Sequence, residues 1–151
     1  MTNAFRAGNL HLAAMRVLAI DHGEKRVGLA VSDETGTIAQ PLEFILAQPV
    51  SKLLAQLEKI VRERNVLAIV VGLPRNMDGS YGPAAEKVRE FVAALQQAVT
   101  VPVKTWDERL TSVQANRFLI EAGVRRQKRK ERVDQTAAAI LLQSYLDHAP
   151  W

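Results

Sequence analysis

Residues 15–32, with the sequence MRVLAIDHGEKRVGLAVS, decide the fold that we predict for this chain. The first part of the stretch is an apolar run that ends at Asp21, and the second part, from Arg26 onward, alternates between large and small side chains. An alternation with a period of two is typical of a β-strand with one crowded face. The stretch therefore predicts two antiparallel strands, 15–21 and 26–32, that are joined by a short turn.

The residues that follow predict a third edge strand and a buried fourth one. Residues 37–45 form the predicted third strand, and Pro41 places it at an edge because proline cannot donate a hydrogen bond to a neighbouring strand. Residues 66–71 are continuously apolar, as expected of a central parallel strand that is covered on both faces. Apolar residues with helical spacing at 50–61 and 84–99 predict one helix before that strand in the sequence and one helix after it.

The end of the chain completes an α/β fold. A fifth strand is predicted at residues 101–106, a third helix at 111–123 and a fourth helix that ends near His148. Because strand–helix–strand crossovers are right-handed, the fourth strand is expected to lie parallel to the first and beside it. We therefore predict a mixed five-stranded sheet of order 3-2-1-4-5 with helices packed on it. One domain is expected at residues 15–151, after a flexible extension at 1–14.

The composition excludes several classes of protein. The chain has 151 residues, of which 48% are hydrophobic, and this content is too high for a disordered protein. The absence of cysteine excludes a disulfide scaffold, a cysteine nucleophile and a thiolate zinc site. No apolar run approaches the roughly 20 residues that a bilayer-spanning helix needs, and the start of the chain is a poor signal peptide. We expect a soluble, cytoplasmic protein without a membrane partner.

One short stretch, residues 123–133, carries most of the positive charge, and we call it the basic segment. It contains six basic residues opposed only by Glu131, whereas the rest of the chain is close to neutral. Such a charge density is favoured where a polyanion relieves the repulsion, although a solvated loop that is kept soluble by its charge has the same composition. We predict nucleic acid as the partner, and the expected contacts are Arg125, Arg126, Lys128, Arg129 and Lys130.

Three carboxylates are predicted at the edge of the sheet where ligands bind in α/β folds. Asp21 ends the first strand, Glu108 follows the fifth, and Asp134 lies near the start of the last helix. Each acid alone has an ordinary explanation, as a turn residue, an exposed acid after a strand, or a first-turn aspartate that complements the helix dipole. Together they are the oxygen ligands that Mg²⁺ or Mn²⁺ prefers, and such a site requires no histidine.

Four blocks of sequence, in order, resemble the YqgF family, also called RuvX, across residues 16–146. The blocks are DHG at 21–23 with RVG at 26–28, VVGLP at 70–74 with NMDG at 76–79, DERLTS at 107–112, and VD at 133–134 with AAAILL at 137–142. The family is bacterial and is related to Holliday-junction resolvases. The resemblance implies a ribonuclease H-like fold and a nuclease that matures the 5′ end of pre-16S ribosomal RNA.

The resemblance also implies which residues hold the metal. It carries the catalytic and metal-binding roles onto Asp21, Glu108 and Asp134, with Asp107 as the alternative middle ligand if the strand ends one residue later. The implied enzyme is a hydrolase with two divalent ions, Mg²⁺ or Mn²⁺, about 4 Å apart at one phosphodiester. His22 occupies a variable position of its motif, so we assign it no role.

Further positions near the acids are candidate nucleic-acid contacts. Arg109 and the loop at 75–79 lie near enough in sequence to contact phosphates, although an ion pair within the protein explains Arg109 equally well. Trp106 and Tyr81 are candidates for stacking on a base, with core packing or simple loop exposure as the plainer explanation.

Three alternatives to an rRNA nuclease stay open at this point. The same chemistry could act on Holliday junctions or other branched DNA, for which a dimer would provide the two coordinated sites. A non-catalytic RNA-binding factor in ribosome assembly would need no metal ion. Sugar-kinase-like ATPases share the Asp-x-Gly turn but are generally much longer, with two such domains. The sequence decides neither between a monomer and a homodimer nor between internal cleavage and cleavage from an end.

Overall fold

The computed structural model describes residues 16–76, 78–108 and 137–148, in which five strands and three helices lie. The strands are β1 (Arg16–His22), β2 (Arg26–Ser32), β3 (Ala39–Leu46), β4 (Val66–Leu73) and β5 (Val103–Asp107), and the helices are α1 (Val50–Glu63), α2 (Pro83–Ala98) and α3 (Ala137–His148). Each predicted strand is present, and its ends differ from the prediction by at most two residues. The predicted extension at 1–14 and the predicted helix at 111–123 lie outside the described residues.

The sheet has the predicted strand order, β3-β2-β1-β4-β5. β1 pairs antiparallel with β2, and β2 pairs antiparallel with β3, which lies at an edge as Pro41 indicated. β4 pairs parallel with β1 on one side and with β5 on the other. The carboxyl ends of β1, β4 and β5 therefore meet at one edge of the sheet, which we call the carboxyl edge.

Helices cover the two faces of the sheet. Leu18 and Ile20 of β1 pack into a core with α1 and α2, whereas Val17 and Ala19 pack into a second core with α3. This alternation follows from the geometry of a strand, in which successive side chains point to opposite faces. By the same alternation Asp21 lies on the face that α3 covers, the α3 face, and His22 lies on the face that α1 and α2 cover.

Small residues on the central strands let α3 lie close to the sheet. Leu141 and Leu142 of α3 pack in one buried cluster with Ala19, Ala30 and Val70 of the sheet. None of the helices in the described ranges has the length and apolar character that would let it cross a membrane.

Gln143 attaches α3 to the edge strand through its side-chain amide. Its Oε1 accepts a hydrogen bond from the backbone N–H of Ala39 at 2.9 Å, and its Nε2 donates to the carbonyl of Thr37 at 2.9 Å. The same Nε2 also donates to Asp147 at 3.0 Å, one turn further along the helix. The amide therefore satisfies two backbone groups at the start of β3.

We expect Gln143→Ala to lower the free energy of unfolding by about 1–3 kcal/mol, because both backbone groups lose their protein partner. Gln96, an exposed residue of α2, provides the control, and Gln96→Ala should change stability by no more than about 0.5 kcal/mol. Urea denaturation of both variants measures the difference. Equal losses in the two variants would show that the amide bonds to β3 contribute nothing.

Candidate active site

Asp21 lies near the end of β1 on the α3 face. It pairs in register with Gly28 of β2. A Cβ atom placed on Gly28 would lie 3.6 Å from Asp21 Cβ and 3.7 Å from Ala138 Cβ, so the aspartate and the first turn of α3 meet above this glycine. The half-buried carboxylate thus sits where the sheet, α3 and the carboxyl edge come together.

Glu108 directly follows β5 and is buried, with 6% of its surface exposed. A Cβ atom placed on Gly72 of β4 would lie 3.1 Å from Glu108 Oε2, so the carboxylate rests on the backbone of Gly72. The registers pair Ile20 with Val71 and Gly72 with Trp106. One residue further along β1 and β4, Gly72 lies beside Asp21. The two acids therefore occupy the same face at the carboxyl edge.

Asp107 is held differently from Glu108. It belongs to the face opposite Trp106, and its Oδ2 forms an ion pair with Nη1 of Arg75 at 3.1 Å. The side chains of this pair are 25% exposed for Arg75 and 18% exposed for Asp107. β5 ends at Asp107, one residue later than predicted, which is the condition under which Asp107 was the alternative middle ligand. Glu108 is nevertheless the one of the two acids that lies on the face of Asp21.

His22 packs on the other face of the sheet. Its ring stacks on Phe91 of α2, with the ring centroids 4.4 Å apart. Burial lowers the pKa of His22, and the nearby charge of Lys87 lowers it as well, against the opposing effect of the Asp21 carboxylate. The ring contributes to packing between β1 and α2.

The two candidate aromatic contacts have different surroundings. Trp106 packs edge-on against Tyr145 of α3 at 5.2 Å between centroids, and its Nε1 donates to Ser144 Oγ at 3.4 Å. Tyr81 is 42% exposed, and the guanidinium groups of Arg75 and Arg89 lie over its ring. Trp106 thus belongs to the core, whereas Tyr81 remains accessible.

The remaining predicted site residues lie outside the described residues. They are Asp134, Arg109, Arg125, Arg126, Lys128, Arg129 and Lys130. Asp134 precedes the first residue of α3, Ala137, by three positions in the sequence.

The described residues fit a divalent ion in chemistry and in space. Asp21 and Glu108 supply the carboxylate oxygens that Mg²⁺ and Mn²⁺ prefer. Glycines stand on both sides of Asp21 in the sheet, Gly28 on β2 and Gly72 on β4, and they leave a cradle above the backbone that larger side chains would fill. Within the described ranges no three His, Cys, Asp or Glu side chains come together as a metal site.

The sequence alone did not indicate the role of these glycines. In the sequence, Gly28 is one of the small residues that alternate with large ones in β2. Gly72 is the residue at which an apolar run ends. Their common neighbour, Asp21, becomes apparent only when the registers of two strand pairs are known, because shifting a strand by one residue exchanges its faces.

We expect Gly72→Ala to reduce nuclease activity by on the order of tenfold, because misplaced catalytic groups cost activity steeply. The new methyl group would lie 3.1 Å from Glu108 Oε2 and 3.2 Å from Leu141 Cδ2, so the carboxylate must shift. Gly28→Ala is the matched control, since its methyl group would meet only ordinary contacts at 3.6 and 3.7 Å. Cleavage rates of both variants test this expectation, and it fails if Gly28→Ala is the more damaging change.

Comparisons with known proteins show the family and the fold of this chain. A family model described as RuvX, Holliday junction resolvase, matches residues 15–148. A relative from Halothermothrix orenii, named "Putative pre-16S rRNA nuclease", is 46% identical over 134 residues, which cover 89% of this chain and 96% of the relative. A relative from Symbiobacterium thermophilum with the same name is 47% identical over 133 residues, which cover 88% of this chain and 92% of the relative.

A solved structure with the same fold is RuvC of T. thermophilus in complex with a Holliday junction substrate. It superposes with a TM-score of 0.58 at 20% identity, over 89% of this chain and 96% of RuvC. At this identity the likeness concerns the fold, and it agrees with the ribonuclease H-like architecture expected from the sequence. With the family model spanning nearly the whole chain and relatives above 40% identity, this chain is a member of the RuvX family.

Proposed function

We propose that this chain is a divalent-metal-dependent nuclease that hydrolyses phosphodiester bonds in the maturation of the 5′ end of pre-16S rRNA. The observation that carries the proposal is the placement of Asp21 and Glu108 on one face of the carboxyl edge, above two glycines. The name of the relatives supports rRNA as the substrate. An rRNA precursor as substrate would also place the protein in the cytoplasm.

In this proposal Asp21, Glu108 and Asp134 hold the metal ions. Bound Mg²⁺ or Mn²⁺ would supply an activated water and charge stabilisation for the leaving oxygen. Asp21 lies in the central strand of the sheet and would be shared by the two ions, and Glu108 and Asp134 would each hold one of them. Glu108 is suited to a fixed position, because its side chain is buried and, like that of Leu141, lies against Gly72.

The basic segment is proposed to bind the phosphate backbone of the substrate. Replacement of Arg125, Arg126, Lys128 and Arg129 by glutamine should weaken binding while leaving Mn²⁺ affinity unchanged. On duplex nucleic acid each lost phosphate contact should change the slope of log K against log salt by about 0.9. Binding measured at several salt concentrations gives this slope. A slope equal to that of the wild type would mean that the segment only keeps the protein soluble.

A second candidate function is resolution of Holliday junctions or other branched DNA, which the description of the matching family model favours. Two coordinated cuts would require a homodimer, whereas one active site of a monomer is sufficient for cleavage of RNA. Sedimentation of the protein with and without junction DNA therefore bears on this alternative.

Cleavage of matched substrates decides between the two functions. A precursor RNA that spans the 5′ end of 16S rRNA, a single-stranded DNA and a four-way junction are each incubated with Mg²⁺, with Mn²⁺ and with chelator. We expect metal-dependent cleavage of the RNA, and chelator should abolish it. Cleavage of the junction alone would support the resolvase, and binding of RNA without cleavage under any metal condition would support a non-catalytic assembly factor.

A further inference from the structure

Arg75 connects two elements at the carboxyl edge. It lies in the segment between β4 and α2, and its Nη1 donates to Asp107 Oδ2 at 3.1 Å. Its Nε donates to the carbonyl of Gly79 at 2.9 Å, and its Nη2 donates to the same carbonyl. The guanidinium also lies over the ring of Tyr81, 4.5 Å from the centroid. Arg75 thereby joins the segment after β4 to the last residue of β5.

The segment that receives these contacts is ordered by its own hydrogen bonds. The backbone N–H of Asn76 donates to the carbonyl of Ser80, and that of Gly79 donates to the carbonyl of Asn76, both at 2.9 Å. Asp78 Oδ1 accepts hydrogen bonds from the backbone N–H and the hydroxyl of Ser80 at 2.9 and 2.6 Å. The Gly79 carbonyl that Arg75 binds is therefore part of a closed turn.

The ion pair matters because of where β5 ends. The last paired position of β5 is Asp107, opposite Leu73, and Glu108 is the next residue. Glu108 lies against Gly72 on the α3 face, so the ion pair that holds Asp107 on the opposite face fixes the backbone from which Glu108 extends. On the α3 face, the indole of Trp106 is held by Tyr145 and Ser144. On the opposite face, Arg75 holds the next residue of β5, Asp107, through the ion pair.

We propose that Arg75 is a positioning residue that sets the orientation of Glu108 through its ion pair with Asp107. This inference rests on the proposed function, since it requires Glu108 to be a metal ligand. Groups that orient a metal ligand typically change metal affinity by about 10- to 100-fold when they are removed. Arg75 would therefore act on the metal site without touching the metal or the nucleic acid.

A direct contact between Arg75 and a phosphate fits this geometry less well. Nε, Nη1 and Nη2 each donate to a protein oxygen, which leaves one N–H on each terminal nitrogen as the most that a phosphate could use without displacing Asp107 or Gly79. Arg89, whose guanidinium lies 4.2 Å from the centroid of the Tyr81 ring, has a side chain that is 44% exposed, against 25% for Arg75. Nη1 of Arg89 forms its ion pair with Glu86, at 2.8 Å from Oε1, and Arg89 is therefore the matched control.

Titration calorimetry with Mn²⁺, in the absence of nucleic acid, tests the proposal. The proteins compared are the wild type, Asp21→Asn, Arg75→Ala, Arg75→Lys, Asp107→Asn, the double variant Arg75→Ala/Asp107→Asn, and Arg89→Ala. We expect Arg75→Ala and Asp107→Asn each to weaken Mn²⁺ binding by about 10- to 100-fold. The double variant should bind Mn²⁺ no more weakly than the weaker-binding single variant, because both changes remove the same ion pair between Arg75 and Asp107.

The other variants define the contact further. Arg75→Lys should give an intermediate affinity, because an ammonium group can pair with Asp107 but lacks the planar fork that also reaches Gly79. Arg89→Ala should bind Mn²⁺ like the wild type. The affinity of Arg75→Ala for nucleic acid, and its dependence on salt, should also match the wild type.

Two results would overturn the inference while leaving the proposed function intact. One is wild-type Mn²⁺ affinity in both Arg75→Ala and Asp107→Asn. The other is weaker nucleic-acid binding with a shallower salt dependence in Arg75→Ala and unchanged Mn²⁺ affinity, which would make Arg75 a phosphate contact. If the wild type binds no Mn²⁺, or Asp21→Asn binds it equally well, the proposed function fails and the inference fails with it. Should Arg75→Ala not fold, Arg75→Lys decides the question, and wild-type Mn²⁺ affinity in that variant would overturn the inference.

Discussion

Asp21→Asn protein is expected to fold normally and to lose its nuclease activity. Asparagine keeps the size of the aspartate beside Gly28, so the packing at the end of β1 should be retained. The loss of a charged ligand removes several kcal/mol of transition-state stabilisation, and the cleavage rate should fall by on the order of a thousandfold. Cleavage of the precursor RNA at saturating Mn²⁺ measures this loss.

The same substitution should separate metal binding from stability. Clustered carboxylates repel one another in the absence of a cation, so the metal-free variant should be as stable as the wild type or slightly more stable. The wild type should gain about 2.7 kcal/mol at a metal concentration a hundred times its Kd, and the variant should lose most of this gain. Thermal unfolding with and without Mn²⁺ measures both quantities. An Asp21→Asn protein that is unfolded would mean that the acid has a structural role.

Glu108→Gln should be as inactive as Asp21→Asn, whereas Asp107→Asn should keep measurable activity. Glu108 lies on the face of Asp21, while Asp107 forms an ion pair with Arg75 on the opposite face. We therefore expect Glu108→Gln to lose cleavage by on the order of a thousandfold, and Asp107→Asn to be rescued by added Mn²⁺. Cleavage rates over a range of Mn²⁺ concentrations distinguish the two.

The reverse result would reassign the middle ligand. If Glu108→Gln retained activity and Asp107→Asn were inactive at every Mn²⁺ concentration, Asp107 would be the ligand and the ion pair with Arg75 would have to open on metal binding. The proposal that Arg75 orients Glu108 would then be wrong, while the metal-dependent nuclease would remain.

Patterns within single segments were sufficient to predict most of the fold. The alternation in β2, the apolar run of β4 and the proline in β3 each identify a strand and its place in the sheet. The right-handed crossover rule then leaves β1 beside β4, and the observed strand order agrees. Local sequence patterns and the right-handed crossover rule are therefore sufficient to predict the order of the strands in the sheet.

The details of the site depend on relations between segments, which such patterns do not contain. Whether Asp107 or Glu108 faces Asp21 depends on the register of β5 against β4 and on the path of the chain after β5, which ends one residue later than predicted. The pairing of Arg75 with Asp107 joins residues 32 positions apart and has no signal in either segment. The blocks resembling the YqgF family imply a role for Asp21, Glu108 and Asp134, but only the registers place Asp21 and Glu108 on one face.

Anomalous diffraction from crystals soaked in MnCl₂ tests the central claim most directly, namely that the carboxylates at the carboxyl edge hold the divalent ion. We predict a manganese peak at coordination distance from carboxylate oxygens of both Asp21 and Glu108, and its absence from crystals of Asp21→Asn protein. A peak located elsewhere, or no peak under conditions in which the same protein cleaves RNA, would contradict the account.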